Sequence, residues 1–135
     1  IVGSAINNDI KKYDGKMNIK IYENAEEELK NQLIDESWLC IVPVYFGSGT
    51  RIKILEYWSH GKTVISTKLG AEGLPNAKGT IIVDEDEEII DSIQKLLSNT
   101  TNLKKLGEYN YQIFKEKYEE EIVYGDTLYS TIFIK

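Results

Sequence analysis

The sequence predicts an α/β fold in which a parallel β-sheet is covered by helices on both faces. Short β-rich segments alternate along the chain with amphipathic helical segments, and the loops between them hold only a few residues. The apolar run at residues 38–44 is continuous rather than alternating, which is typical of a strand buried on both faces. The length of 135 residues suits one compact domain, so we assign residues 1–135 to a single domain.

The first part of the chain alternates strand, helix, strand, helix and strand. These elements are predicted at residues 1–3, 7–13, 18–22, 25–37 and 38–44. Asp14 and Gly15 end the first helix, and the alternating, β-rich residues after it indicate the second strand. The second helix carries Leu33 and Ile34 at helical spacing behind an acidic first turn.

The second part of the chain continues the alternation and closes with two helices. A helix is predicted at residues 50–60, strands at 63–67 and 80–83, and helices at 84–97 and 102–118. Gly61 is expected to end the first of these helices in the left-handed conformation. The acidic residues 84–86 are expected to cap the next helix.

The composition argues against several classes of function. The formal net charge of −6 does not fit a nucleic-acid-binding surface, which needs a basic stripe. The longest apolar run, residues 38–44, is too short to cross a bilayer, and no signal peptide opens the chain, so we expect a cytoplasmic protein. Cys40 is the single cysteine, which rules out an intrachain disulfide, and we expect it to be a core residue.

A glycine-rich loop before the helix at residue 50 carries the main functional signal. Gly47 and Gly49 let the backbone approach a ligand closely and adopt unusual φ angles. The amides of residues 49–52 then lie in the first helical turn, where they lack intrahelical partners and meet the positive end of the helix dipole. A phosphate group fits this position, and the alternative is an ordinary glycine-rich turn.

Lys53 and Glu56 follow on the same helix at helical spacing. They add a cation and a carboxylate to the helix that begins with the loop amides. A carboxylate about one to two turns below a diphosphate is placed to accept both hydroxyls of a ribose, as an acid does in dinucleotide-binding folds. The alternative is an ordinary surface ion pair, which contributes little to stability.

Three segments together resemble a known signature: IVPVYFGSGTRIKILE at residues 41–56, GKTVIST at 61–67 and GAEGL at 70–74. They resemble the nucleotide-binding signature of the retaining glycosyltransferases of the large group 1 family, which have the GT-B architecture of two Rossmann-like lobes. The resemblance implies that this chain is the C-terminal, donor-binding lobe. We therefore expect a Rossmann-like parallel sheet and a chain truncated at its N-terminus.

The resemblance also implies which residues hold the donor nucleotide. Glu56 would accept the ribose hydroxyls, residues 49–52 would receive the diphosphate, and the strand end near residue 23 would hold the base. The donor-binding residues implied are Gly47, Ser48, Gly49, Thr50, Arg51, Ile52, Lys53, Glu56, Glu23 and Asn24.

Departures from the family pattern leave the sugar-side contacts and the catalytic residues open. The commonest pattern has a second glutamate eight positions before the ribose-binding one, and Ser48 stands there in this chain. Thr63 replaces a frequent proline. Glu72 is a candidate to approach the donor sugar, and the alternative is a solvated loop acid.

The resemblance implies an enzyme of hexosyltransferase type that moves a sugar from a nucleotide sugar to an acceptor hydroxyl in polysaccharide, glycolipid or glycoprotein synthesis. It implies no cofactor and no metal. The acceptor would be held by the missing N-terminal lobe, so the fragment alone is expected to be inactive. The intact enzyme is of a kind that can associate peripherally with a membrane.

Two rival functions share part of this pattern. A stand-alone, non-catalytic nucleotide-binding or regulatory module that pairs with another chain would contain the same motifs. A receiver-like signalling domain would need an aspartate at the end of its third strand, where this chain has Pro43-Val44-Tyr45.

Other polar residues have simpler interpretations than catalysis. His60, the single histidine, ends the motif helix and is expected to interact with the helix C-terminus. The acids at residues 84–88 are expected to cap a helix and face water rather than bind a metal.

Overall fold

A computed structural model describes residues 1–3, 6–47, 51–119 and 132–134. The strands are β1 (Val2–Gly3), β2 (Tyr22–Glu23), β3 (Leu39–Val42), β4 (Thr63–Ser66), β5 (Thr80–Ile82) and β6 (Ile132–Ile134). The helices are α1 (Asn8–Lys11), α2 (Glu27–Glu36), α3 (Arg51–Ser59), α4 (Asp86–Leu97) and α5 (Thr100–Lys117).

The strands form two sheets. The larger has the order β5-β4-β3-β6, and the smaller pairs β1 with β2 in parallel. Strands β3, β4 and β5 run parallel, with Leu39 opposite Thr63 at the start of the β3–β4 pair. The predicted parallel α/β, Rossmann-like fold is therefore confirmed. Strand β6 was not predicted, and it pairs antiparallel with β3 through Leu39 and Ile134.

The helices cover both faces of the larger sheet, as predicted. On one face α2, α3 and the end of α5 pack on β3 and β4, in a core that includes Ile34, Val42, Ile54, Trp58 and Phe114. On the other face α4 and the start of α5 form a second core with Leu39, Ile41, Ile65, Leu96 and Leu103. All four residues of β3 and all four of β4 are buried, as a continuous apolar run predicts.

None of the helices in the described parts of the chain is both long enough and apolar enough to cross a membrane.

The second strand begins later than predicted. It was expected at residues 18–22, but Met17 and Asn18 have φ angles of 51° and 61°, which no strand residue adopts. The preceding turn extends to this point because an Asp14 carboxylate oxygen accepts the amide of Ile21 at 2.8 Å. Only Tyr22 and the following residue pair with β1.

The acidic residues before α4 do not cap that helix as predicted. The residue at the cap position is Glu85, and its side chain makes no capping hydrogen bond. Instead, Asp84 accepts the amide of Lys68 at 2.8 Å, and Asp86 accepts the hydroxyl of Tyr45 at 2.6 Å. These two carboxylates tie α4 to the loops that follow β4 and β3.

Helix α5 packs closely on the turn that ends α3. Gly61 adopts a φ of 64°, which confirms that it ends α3 in the left-handed conformation. A Cβ atom on Gly107 would lie 2.0 Å from the Gly61 carbonyl oxygen, so only glycine fits at this crossing. The contact brings the backbone of α5 close to the turn that ends α3.

Helix α5 also begins earlier than predicted, because Asn99 caps it. The Asn99 side-chain oxygen accepts the amide of Asn102 at 3.0 Å. We expect Asn99→Ala to lower the free energy of unfolding by about 1 kcal/mol, since it removes the acceptor of an otherwise unpaired amide. Urea denaturation would measure this loss, and Asn99→Asp should show little of it. Equal stability of Asn99→Ala and the unmodified protein would contradict the capping role.

Candidate functional site

Thr67 holds the C-terminal end of β3 beside the C-terminal end of β4. Its hydroxyl donates to the Val44 carbonyl at 2.5 Å and accepts the amides of Val44 and Gly70, each at 3.2 Å. The loop that leaves β3 is thereby held at the carboxyl ends of the parallel strands. Ligands of open α/β sheets bind at this edge.

The glycine-rich loop has an unusual backbone conformation at Gly47. This residue has a φ of 101°, which favours glycine, although nothing lies within 4 Å of where a Cβ would be. The neighbouring Phe46 is 88% exposed. Of the predicted phosphate-binding residues, Ser48, Gly49 and Thr50 lie outside the described residues.

Arg51 and Ile52 open α3, and both are exposed. The amides of a first helical turn have no acceptor within the helix and point out at the positive end of its dipole. The geometry is compatible with an anion at this end of α3. The phosphate site itself remains a prediction.

Lys53 lies one turn into α3 and is buried, with 4% of its surface exposed. Burial lowers the pKa of its ammonium group to about 8, and the nearby Glu56 carboxylate offsets part of this effect. An ordinary, solvated surface pair of Lys53 and Glu56, which was the alternative interpretation of this helix, is therefore wrong.

The Glu56 carboxylate is shielded and ion-paired. Its Oε1 atom lies 2.6 Å from Nζ of Lys30 on α2, and the two side chains are 13% and 15% exposed. Its Oε2 atom is buried and has no hydrogen-bond partner among the described residues. A ribose that binds here has to uncover Oε2 and share the carboxylate with Lys30.

Sequence reasoning missed Lys30. The available signal was its spacing, because Lys30 lies one turn before the buried Leu33 and Ile34 on the core-facing side of α2. The apolar positions identified that face, but the lysine on its border was not considered as a site residue.

The predicted base-side residues lie at the end of β2. The Glu23 carboxylate accepts the Ile6 amide at 3.2 Å and pairs with Lys11 at 2.7 Å, and the hydrogen bond from Lys11 is the main cause of its lowered pKa. The amide of Asn24 donates to the Gly3 carbonyl. Because peptide groups alternate along a strand, the peptide groups of Glu23 point away from β1.

The structure does not bring Glu72 together with Glu56. Glu72 is exposed and lines a cavity of about 830 Å³ between the loop after β4 and the β5 edge of the sheet. Trp58, Lys68 and Asp84 line the same cavity. Neither Lys53 nor Glu56 contributes to the walls of this cavity.

His60 and Cys40 serve the packing of the fold. The His60 ring nitrogen Nδ1 lies 2.7 Å from the Asp35 carboxylate on α2, so the side chain pairs with a neighbouring helix. Cys40 is fully buried, which confirms that it is a core residue. Burial raises the pKa of its thiol to about 12, which suppresses the reactive thiolate.

Comparisons with known proteins agree with the fold. Residues 1–99 match the family described as "Glycosyl transferases group 1". Over 134 aligned residues the chain is 26% identical to an "Uncharacterized 44.6 kDa protein in cps region" from Klebsiella pneumoniae. This alignment covers 93% of the chain but only 34% of the Klebsiella protein. No solved structure shows significant similarity to the chain.

Proposed function

The chain belongs to the glycosyl transferases group 1 family, and from this premise we propose that it binds the nucleotide-sugar donor of a sugar-transfer reaction. Family membership indicates sugar transfer as the general activity. The finer proposal is that this chain is the donor-binding lobe of a two-lobed enzyme. The Glu56 carboxylate then accepts the donor ribose, and the start of α3 receives the diphosphate.

The observation that carries the proposal is the Oε2 atom of Glu56. A buried carboxylate oxygen without a donor is costly, and native structures keep few of them unless a ligand or water completes the bonding. The ribose hydroxyls of a nucleotide would supply the missing donor. The carboxylate lies on α3 about one and a half turns from the helix start, a separation that suits a ribose next to a phosphate.

The start of α3 supports the diphosphate half of the proposal. The helix dipole, the Arg51 side chain and the Lys53 ammonium group concentrate positive charge in a protein whose net charge is −6. Two lysines, Lys30 and Lys53, lie near Glu56, so cationic side chains flank the proposed site.

In the proposed reaction the sugar is transferred with retention of configuration at the anomeric carbon. The bond from that carbon to the diphosphate oxygen breaks and its electron pair leaves with the diphosphate. The acceptor oxygen forms the new bond and gives its proton to the leaving diphosphate oxygen. The protein groups at α3 stabilise the charge of the leaving diphosphate, so this proposal requires no metal. The acceptor site belongs to a second lobe in this proposal.

A titration with nucleoside diphosphates tests donor binding directly. The ¹⁵N-labelled chain would be titrated with uridine, guanosine and adenosine diphosphates while the amide NMR shifts are followed. We expect one base to be preferred and the largest shifts to fall at residues 47–53, with smaller shifts near Glu23. Shifts that are absent for all three nucleotides, or confined to residues outside α3 and the end of β2, would overturn the proposal.

A further inference from the structure

A short, shielded ion pair in the candidate site joins two helices. Nζ of Lys30 on α2 lies 2.6 Å from Oε1 of Glu56 on α3, and both side chains are largely removed from solvent. Charge-assisted contacts of this length are among the strong hydrogen bonds in proteins. A pair this buried is also costly to form, because both charges lose their hydration.

The pair is asymmetric at the carboxylate. Oε1 is held by Lys30, while Oε2 has no partner in the part of the chain that the structure describes. The ion pair therefore selects which oxygen remains for a ligand. A carboxylate held at one oxygen cannot rotate freely, so its second oxygen keeps a fixed direction.

From this geometry we propose that Lys30 is a positioning residue, which keeps the Glu56 carboxylate turned so that Oε2 can accept the ribose hydroxyls of the donor. This inference rests on the proposed function and adds a determinant of its ribose specificity. It differs from a purely structural role, in which Lys30 would only join α2 to α3. It also differs from a blocking role, in which Lys30 would compete with the ligand for the carboxylate.

The test measures ribose preference rather than affinity alone. Dissociation constants would be measured by calorimetry for the preferred ribonucleoside diphosphate and for its 2′,3′-dideoxy analogue. In the unmodified chain we expect the ribonucleotide to bind about tenfold more tightly than the dideoxy analogue. In Lys30→Met we expect about tenfold weaker binding of the ribonucleotide and little change for the analogue, so that the preference disappears.

Two further variants separate the possible roles. Lys30→Arg keeps the charge and should retain most of the preference, whereas the exposed Lys105→Met, which makes the same change in net charge, should leave it intact. Circular dichroism would establish that each variant is folded. If Lys30→Met does not fold, Lys30→Gln replaces it, because it removes the charge but keeps an N–H donor.

The outcomes distinguish this inference from the proposed function. If the unmodified chain binds no nucleotide, the proposed function fails and the role of Lys30 fails with it. If the unmodified chain shows a ribose preference that depends on Glu56 but Lys30→Met keeps it, only the role of Lys30 is wrong. Tighter binding by Lys30→Met would show that Lys30 competes with the ligand. If Lys30→Met binds both nucleotides more weakly by the same factor, Lys30 contributes only positive charge and does not position Glu56.

Discussion

Glu56→Gln is expected to weaken binding of the preferred ribonucleoside diphosphate by about 1–3 kcal/mol, that is, by roughly fivefold to 150-fold. Glutamine has nearly the same shape, and its amide oxygen can still accept from Lys30. However, it lacks the negative charge, and one of the two carboxylate oxygens becomes a donor. Ribose hydroxyls that met a charged acceptor would then meet a neutral amide, and the advantage of the ribonucleotide over its dideoxy analogue should shrink.

The substitution should also reduce stability, because the partly buried Lys30 would lose the carboxylate that it pairs with, and the buried Lys53 would lose the carboxylate that offsets its burial. Calorimetry for binding and urea denaturation for stability would measure the two effects separately. Glu116→Gln on α5 makes the same change in net charge at an exposed position, so it should affect neither quantity. Unchanged nucleotide affinity in a folded Glu56→Gln protein would remove Glu56 from the binding site.

The large elements of the fold were predictable because burial decides them. The run at residues 38–44 is apolar at successive positions, and β3 and β4 are buried on both faces as that pattern requires. Gly61 and the residues around it likewise specify the end of α3 through local backbone preference. Such features are determined by residues that are close together in the sequence, so the sequence alone is enough to predict them.

The misplaced features depend on contacts between distant segments. Strand β6 pairs with the edge of β3, and the paired residues are more than ninety positions apart in the sequence. Asp84 and Asp86 resemble helix-capping residues by position. In the structure they instead accept hydrogen bonds from the amide of Lys68 and the hydroxyl of Tyr45, respectively. The second strand was misplaced because an Asp14 side chain stabilises a turn within it. Local patterns do not contain these partners.

The candidate site shows the same division. The sequence motif predicted helix α3, the glycine-rich loop before it and the role of Glu56. It did not show that Lys53 is buried or that Lys30 pairs with Glu56, because both facts depend on how α2 and α3 pack. The motif therefore indicates the type of ligand, while the packing determines the electrostatics of the site.

Lys53→Met is expected to make the protein more stable while it weakens nucleotide binding. The Lys53 pKa is about 8 in the folded protein, compared with 10.5 for an unperturbed lysine, because burial disfavours the charged form. Below pH 8 the ammonium group is charged in both states, and the folded state bears a net cost of about 3 kcal/mol for keeping this charge buried. Methionine fills a similar volume without this cost, so at pH 7 the variant should be more stable by about 1–3 kcal/mol.

The pH dependence has a definite sign. Between pH 8 and 10.5 the unfolded chain binds more protons at this residue than the folded protein, so the Lys53 contribution makes the unmodified protein more stable as the pH rises. The stability difference between Lys53→Met and the unmodified protein should therefore shrink across this window. Urea denaturation at pH 7 and at pH 9.5 would measure it, with the exposed Lys105→Met as the control of equal charge.

Nucleotide binding should respond in the opposite direction, because a diphosphate near Lys53 favours its protonated form. Above pH 8 the free protein has to take up a proton on binding, so affinity should fall by up to about tenfold for each pH unit. In Lys53→Met the affinity should be lower at pH 7 and should lack this dependence. A variant that is more stable yet binds the nucleotide with the affinity and pH profile of the unmodified protein would place the diphosphate away from Lys53. The cost of burying this lysine would then need an explanation other than ligand binding.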